Sequence, residues 1–277
     1  MKKALLLSGL QRNFMPFISN QRELLINKNE FDIFIYTSSE NNNRKFNDIT
    51  RKYEYIEKNN VNNDINLFFE KYSKKLKNII IDNGEYFREF TEHNKLNELH
   101  NFHKGLINSY FKVYSGLKMI EEYEKNNNIK YDIIMRARLD SFLLNDVVIN
   151  DIKDNKMIIE HNNNDFEFTN NSIILSRSNN HIDDSCFIIF RNNINIMKNF
   201  VFFLIDNIKS HENISINSFV IEDCLIKYID NANLNKILIN NFICRIGCPI
   251  LCFQNVKYFE KDDMQNIFSY EYQLSYN

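Results

Sequence analysis

Apolar and polar positions along the first 140 residues form short apolar runs, each followed by polar residues, with helical periodicity between them. Residues 3–8 and 31–37 are predicted to be buried strands, with a short helix at residues 21–27 between them. A strand–helix–strand opening is typical of a parallel sheet. Three further elements are expected before residue 100: some helix around residues 49–57, a helix at residues 67–76 and a strand at residues 78–82.

The longest helix is predicted from about residue 104 to residue 125. Its apolar residues recur at steps of three and four and define one face: Leu106, Tyr110, Val113, Leu117 and Ile120. A neighbouring line carries small residues around one lysine: Gly105, Ser109, Lys112 and Gly116. Small residues let a helix approach a sheet or a ligand closely, so Lys112 is a candidate substrate-binding residue. The alternative is ordinary helix–sheet packing, in which the lysine stem covers apolar surface.

The rest of the chain alternates short apolar strands with two more amphipathic helices. Strands are predicted at residues 131–135, 147–149, 157–160, 173–175, 186–190, 237–239 and 250–253, and helices around residues 197–208 and from near residue 218. No internal repeat or interdomain linker is visible. The sequence therefore predicts one α/β domain.

Composition and charge narrow the class of protein. The 34 basic and 36 acidic side chains give a formal charge of -2. General nucleic-acid binders carry a clear basic excess, so this chain is not expected to be one. The longest uninterrupted apolar run covers residues 200–205, far short of the roughly 18 residues of a membrane-spanning helix. The N-terminus lacks a secretory core and cleavage site, so we expect a cytoplasmic protein. Five cysteines form no C-x-x-C pair, so a zinc site is not expected.

The strongest candidate chemistry follows the strand at residues 131–135. Arg136, Arg138 and Asp140 come at alternate positions, so an extended chain places their side chains on one side. In open α/β sheets, ligands bind outside the carboxyl ends of the strands. Two guanidinium groups beside one carboxylate suit a diphosphate and a divalent cation. A buried salt-bridge cluster that fixes the strand end explains the same residues equally well.

Two other strand ends carry candidate substrate-binding residues. Ser8 and Gly9 begin a turn after the first strand, and a glycine permits close approach of a ligand to the backbone. Arg12, three residues on, either binds phosphate or lies on the surface. Thr37 opens a polar cluster after the second strand. Neither G-x-G-x-x-G nor G-K-[ST] is present, which excludes a dinucleotide fingerprint and a P-loop.

Two pairs of adjacent acids are candidates for a catalytic base. Asp183 and Asp184 precede the strand at residues 186–190, and Glu222 and Asp223 lie in the first turn of the helix that starts near residue 218. A general base needs a carboxylate within hydrogen-bond reach of the attacking hydroxyl. The alternatives are loop aspartates that cap the strand, and acids that complement the helix dipole.

Four stretches, taken in order, resemble one family. They are KALLLSGLQRNF from residue 3, FDIFIYT from residue 31, YDIIMRARLD from residue 131 and IDDSCFIIF from residue 182. They resemble the glycosyltransferases of surface-polysaccharide and lipopolysaccharide loci (WavE-like) and related proteins of large viruses. The resemblance implies a GT-A-like (Rossmann-like) fold, with a mixed, mostly parallel sheet flanked by helices in a single domain. Residues 1–140 would bind the nucleotide sugar and residues 141–277 the acceptor.

The resemblance also implies roles for particular residues. It places Gly9 and Arg12 near the nucleotide and Arg138 near the diphosphate. Asp140 stands where GT-A enzymes carry the D-x-D carboxylate that holds Mn2+ or Mg2+. The first acid of that motif is absent, since Arg138 and Leu139 precede Asp140, and metal dependence is therefore open. One of the two acid pairs described above would be the base.

The function expected from these features is a glycosyltransferase. It would move a sugar from a nucleoside diphosphate sugar, such as a UDP-sugar, to a hydroxyl of a glycan or lipid-linked acceptor, with inversion as the expected outcome and retention left open. The alternatives are a non-catalytic nucleotide- or glycan-binding protein on the same fold, an enzyme acting on phosphate esters, and an interaction protein. No nucleic-acid partner and no transmembrane segment are expected, with at most peripheral membrane contact.

Overall fold

The computed structural model describes residues 1–9, 21–38, 44–47, 52–55, 72, 74–139, 141–143, 146–150, 156–161, 164–178, 181–210, 221–240 and 243–245. Its strands, numbered in chain order, are β1 Lys3–Gly9, β2 Phe31–Ser38, β3 Arg44–Asn47, β4 Lys52–Tyr55, β5 Leu76–Asp82, β6 Ile133–Arg138, β7 Ser141–Leu143, β8 Val147–Ile149, β9 Lys156–His161, β10 Asn164–Thr169, β11 Ser172–Ser178, β12 His181–Phe190, β13 Asn235–Asn240 and β14 Ile243–Arg245. The α-helices are α1 Glu85–His93, α2 Asn101–Asn127, α3 Ile194–Ser210 and α4 Ile221–Asn231. A π-helix at Arg22–Ile26 and a 3-10 helix at Arg191–Asn193 complete the described helical segments.

Seven strands form the central sheet in the order β13-β11-β12-β6-β1-β2-β5. Six of them run in one direction, and β12 runs antiparallel to both of its neighbours. If only these seven strands are numbered in chain order, their order across the sheet, starting from β5, is 3-2-1-4-6-5-7. The predicted α/β class, with a mixed, mostly parallel sheet flanked by helices in a single domain, is confirmed.

Both faces of the central sheet are covered, which explains why β1 and β2 are almost continuously apolar. One face packs against α2, α3 and α4. The other face is covered by the π-helical segment and by the small antiparallel sheet of β8, β9 and β10. In the part of the chain that the structure describes, no helix has both the length and the apolar character needed to cross a membrane.

Most predicted elements in the described segments are confirmed to within a few residues. The helix expected around residues 49–57 is wrong, because Lys52–Tyr55 forms β4 and pairs antiparallel with β3. Its alternation of charged residues with tyrosines has the period of a strand. The short helix expected at residues 21–27 is a π-helix. The predicted helix at residues 67–76 lies largely outside the described residues, as does the start of the helix near residue 218, and the strand at residues 250–253 lies wholly outside them.

Helix α2 packs directly on β1 and β2. A Cβ added at Gly116 would lie 2.5 Å from Leu6 Cδ1, whereas a Cβ at Gly105 would have no atom within 4 Å. The predicted line of small residues therefore permits close packing at one end only. Because α2 runs antiparallel to the strands, Lys112 lies about 6 Å nearer the carboxyl edge than Gly116.

The two glycines of α2 are expected to respond in opposite directions to alanine. Gly105→Ala should raise the free energy of unfolding by up to about 1 kcal/mol, because alanine is the better helix former and meets open space. Gly116→Ala should lower it by roughly 1–3 kcal/mol, because the methyl group displaces the fully buried Leu6. Urea unfolding of both variants measures the difference. Equal effects in the two variants would show that α2 does not approach β1 as closely as described.

Candidate functional site

The carboxyl ends of β1 and β6 meet where the order of the sheet reverses. From β1 the chain continues to β2 on one side, while β6 pairs with β1 on the other side. Ligands of open α/β sheets bind in the crevice outside such strand ends. Gly9 ends β1, and Arg138 ends β6 opposite Ser8 in the parallel register. The structure therefore brings two of the predicted clusters together.

Arg136 is the most deeply buried cation at this point of the sheet. Its side chain is 2% exposed, and its Nε donates a hydrogen bond to Ser8 Oγ at 3.0 Å. The strand period of two places Arg138 on the same face of β6, where it is half-buried. A guanidinium stays charged at physiological pH, so the strand end carries two positive charges on one face of β6.

The backbone beside the arginines is held by Gly9 and Thr37. Gly9 has a φ of 130°, a conformation that glycine adopts far more readily than other residues. Thr37 Oγ1 donates a hydrogen bond to the Gly9 carbonyl oxygen at 2.7 Å, which ties the end of β2 to the end of β1. These two residues, with Ser8, Arg136 and Arg138, are named the switch-point cluster below.

Gln21 is a site residue that the sequence analysis missed. Its side chain is fully buried, and its Nε2 donates hydrogen bonds to the Arg138 carbonyl at 2.8 Å and to the Ser141 carbonyl at 2.7 Å. Both bonds hold backbone that flanks Asp140 in the sequence. Gln21 Oε1 is buried without a hydrogen-bond partner among the described residues. No local signal could have revealed this role, because the residues are well over a hundred positions apart.

A cleft of about 190 Å³ lies beside the switch-point cluster, at the carboxyl ends of β2 and β5. It is named the basic cleft here, and its described lining consists of Ser38, Asp82, Gly84, Phe87, Arg88, Thr91, Asn97, Lys104, Asn108 and Lys112. Lys112 is 3% exposed, and its Nζ donates a hydrogen bond to Asn108 Oδ1 at 2.6 Å. The lysine that the helix pattern singled out therefore faces this cleft.

Asp82, at the end of β5, is the carboxylate of the basic cleft. It is 2% exposed, and its Oδ1 accepts a hydrogen bond from the Gly84 backbone N–H at 2.8 Å. Burial and the neighbouring Asp82 raise the pKa of Tyr36 well above its usual value.

The two predicted acid pairs lie in different parts of the fold. Asp183 and Asp184 belong to β12 itself, not to a loop before it. Cys186 pairs with Ala137 of β6, so the two aspartates lie on the part of β12 that extends past the end of β6 at the carboxyl edge. Their side chains lie outside the described residues, and their role as a base stays a prediction.

Glu222 and Asp223 occupy the first turn of α4, as predicted. Glu222 is half-buried and Asp223 is exposed. Helix α4 packs against α3 and β12, and acids in a first turn complement the helix dipole. Their role in catalysis also stays a prediction.

Two predicted site residues, Arg12 and Asp140, lie outside the described residues. The metal position at Asp140 therefore stays a prediction, although Gln21 fixes the residues on both sides of it. Among the described side chains, no group of three or more His, Cys, Asp or Glu could hold a metal ion.

The family model that matches the chain is a domain of unknown function, DUF7796, and it matches residues 4–177. This segment is more than half of the chain, and the chain belongs to the DUF7796 family. The matched segment contains the whole switch-point cluster and the lining of the basic cleft. None of the curated proteins is similar in sequence to the chain.

Several solved structures are similar to the chain at low sequence identity and low TM-score. The PaToxG glycosyltransferase is 11% identical, with a TM-score of 0.37 over 83% of this chain and 68% of that chain. The glycosyltransferase GlyE of Streptococcus pneumoniae TIGR4 is 9% identical, with a TM-score of 0.38 over 86% of this chain and 45% of that chain. A nucleoside-diphosphate-sugar pyrophosphorylase of Vibrio cholerae RC9 is 10% identical, with a TM-score of 0.39 over 97% of this chain and 100% of that chain. The fold assignment itself rests on the order and direction of the strands.

Proposed function

We propose that the chain is a glycosyltransferase that uses a nucleoside diphosphate sugar as donor and the hydroxyl of a glycan or lipid-linked molecule as acceptor. The observation that carries the proposal is the pair Arg136 and Arg138 at the switch point of the sheet, with Arg136 2% exposed. Arginine binds phosphate oxygens in a bidentate fork, and a diphosphate is the charged part of such a donor. The resemblance of four sequence stretches to WavE-like glycosyltransferases supports the same substrate class.

The proposed reaction is a displacement at the anomeric carbon of the donor sugar. The acceptor oxygen forms the new bond to that carbon, and the bond from the carbon to the diphosphate oxygen breaks. A carboxylate, Asp183 or Asp184 in this proposal and Glu222 or Asp223 as the alternative, takes the proton of the acceptor hydroxyl. Arg136 and Arg138 stabilise the negative charge that develops on the leaving diphosphate. Stabilisation of such charge is usually the largest single contribution to catalysis.

A divalent cation, Mn2+ or Mg2+, held by Asp140 would add positive charge at the diphosphate. Only one carboxylate is available at this position of the sequence, since Arg138 stands where the first acid of a D-x-D motif would be. In this proposal Arg138 supplies part of the charge that the metal supplies in enzymes with both acids. Metal binding is therefore expected to be weak.

The proposal is tested by thermal unfolding of the purified protein with a panel of nucleoside diphosphates, with and without Mn2+. A diphosphate at 100 times its Kd should stabilise the protein by about 2.7 kcal/mol and raise its Tm by several degrees. Mn2+ should increase that shift in the natural protein and leave it unchanged in Asp140→Asn. If no nucleotide changes the Tm, the arginines form a structural cluster and the proposal fails. Nucleotide binding without sugar transfer would instead support the non-catalytic alternative.

A further inference from the structure

The basic cleft carries an excess of positive charge. Among the described residues that line it, Arg88, Lys104 and Lys112 are cationic and Asp82 is the carboxylate. Lys104 and Lys112 are eight residues apart on α2, with Asn108 midway, so the three side chains form one stripe at one residue per turn. The described lining thus has two more positive than negative charges.

The carboxylate of the cleft is held by the backbone of the turn before α1, where Asp82 Oδ1 accepts a hydrogen bond from the Gly84 N–H at 2.8 Å. It balances one of the three positive charges of the described lining, and two remain in excess.

Ser38 gives independent evidence of a ligand. It ends β2, is 5% exposed and lines the basic cleft, and its Oγ has no hydrogen-bond partner among the described residues. A buried hydroxyl without a partner destabilises a fold, so such groups usually have a reason. A ligand with acceptor oxygens in the cleft would bond to this hydroxyl.

We propose that the basic cleft binds a phosphate monoester group, carried by a phosphorylated sugar or present as free phosphate. Such a group has a charge of about -1.5 to -2 at pH 7 and three acceptor oxygens, which match the two excess positive charges and the donors of Arg88, Lys104 and Ser38. The cleft volume of about 190 Å³ accommodates a phosphate group.

The phosphate site is separate from the diphosphate position of the proposed function. The cleft lies at the ends of β2 and β5, two strand spacings or roughly 10 Å from the junction of β1 and β6. The two positions are joined through β2, where Thr37 bonds to Gly9 and the next residue, Ser38, lines the cleft.

Isothermal titration of the whole protein with inorganic phosphate, glucose 6-phosphate and glucose, without nucleotide, tests the proposal. Ser38→Ala and Lys104→Met should each raise the Kd of the phosphate compounds about tenfold. Ser38→Ala should leave the Tm unchanged or raise it, because it removes an unsatisfied hydroxyl. Lys118→Met is the matched control, since Lys118 is exposed on α2 and lies outside the cleft.

The results separate the sources of the phosphate. Tighter binding of glucose 6-phosphate than of inorganic phosphate assigns the cleft to a phosphorylated sugar, and equal Kd values assign it to free phosphate. Glucose and glucose 6-phosphate binding alike, or Lys118→Met weakening binding as much as Ser38→Ala, would overturn the proposal. Because no nucleotide is present, these outcomes do not depend on whether the chain is a glycosyltransferase.

Discussion

Arg136→Met is expected to raise the Kd of the preferred nucleoside diphosphate by at least about 100-fold. Arg136 is 2% exposed at the switch point of the sheet, so a diphosphate bound to its guanidinium would be shielded from bulk water. Each charge-assisted hydrogen bond contributes about 1.5–3 kcal/mol, so loss of a bidentate pair removes roughly 3 kcal/mol or more. Isothermal titration with the diphosphate identified by thermal unfolding measures the change.

Two further variants make the Arg136 result specific. Ser8→Ala removes the hydroxyl that accepts from Arg136 Nε but keeps the guanidinium, so a weaker effect of about fivefold is expected. Lys77→Met is the distant control, because Lys77 pairs with Asp32 at 3.2 Å near the amino end of β5. Natural affinity in Arg136→Met would show that Arg136 only fixes the strand end, which is the alternative that the sequence left open.

The central strands could be predicted because burial on both faces leaves a simple pattern. Leu5, Leu6 and Leu7 of β1 are fully buried, as is most of β2, and continuous apolar runs are the mark of such strands. Residues 104–125, most of the 27 residues of α2, were predicted to be helical from the spacing of their apolar residues. The position of Gly9 and Arg138 at strand ends followed from the same runs, and so did the candidate site.

The residues that complete the site could not be predicted, because their contacts are remote in the sequence. Gln21 bonds to Arg138 and Ser141 across more than a hundred residues. Ser38 and Asp82 become neighbours only when β2 pairs with β5. Asp183 lies in β12 because it pairs with Ser176 of β11. The sequence favoured a loop there, since adjacent aspartates are typical of loops.

Glu124→Gln is expected to lower the free energy of unfolding by roughly 3 kcal/mol, since loss of one partner of a buried ion pair leaves the other charge uncompensated. Glu124 is 6% exposed. Its carboxylate accepts from Arg191 Nε at 2.9 and 2.8 Å and from the Tyr131 backbone N–H at 2.9 Å. These bonds join the end of α2 to the start of β6 and the end of β12. Urea unfolding of the variant measures the loss.

Glu121→Gln is the matched control for Glu124→Gln. Glu121 contacts the same Arg191 at 3.5 Å and Lys198 at 2.6 Å, but its side chain is 27% exposed, so the expected loss is below about 1 kcal/mol. Both glutamates lie at the end of α2 remote from the carboxyl edge, so neither variant should change the Kd of a nucleoside diphosphate in the folded protein. A large change of affinity in Glu124→Gln would mean that the amino ends of β6 and β12 control the position of Arg136. Equal losses of stability in the two variants would show that burial does not set the strength of this ion pair.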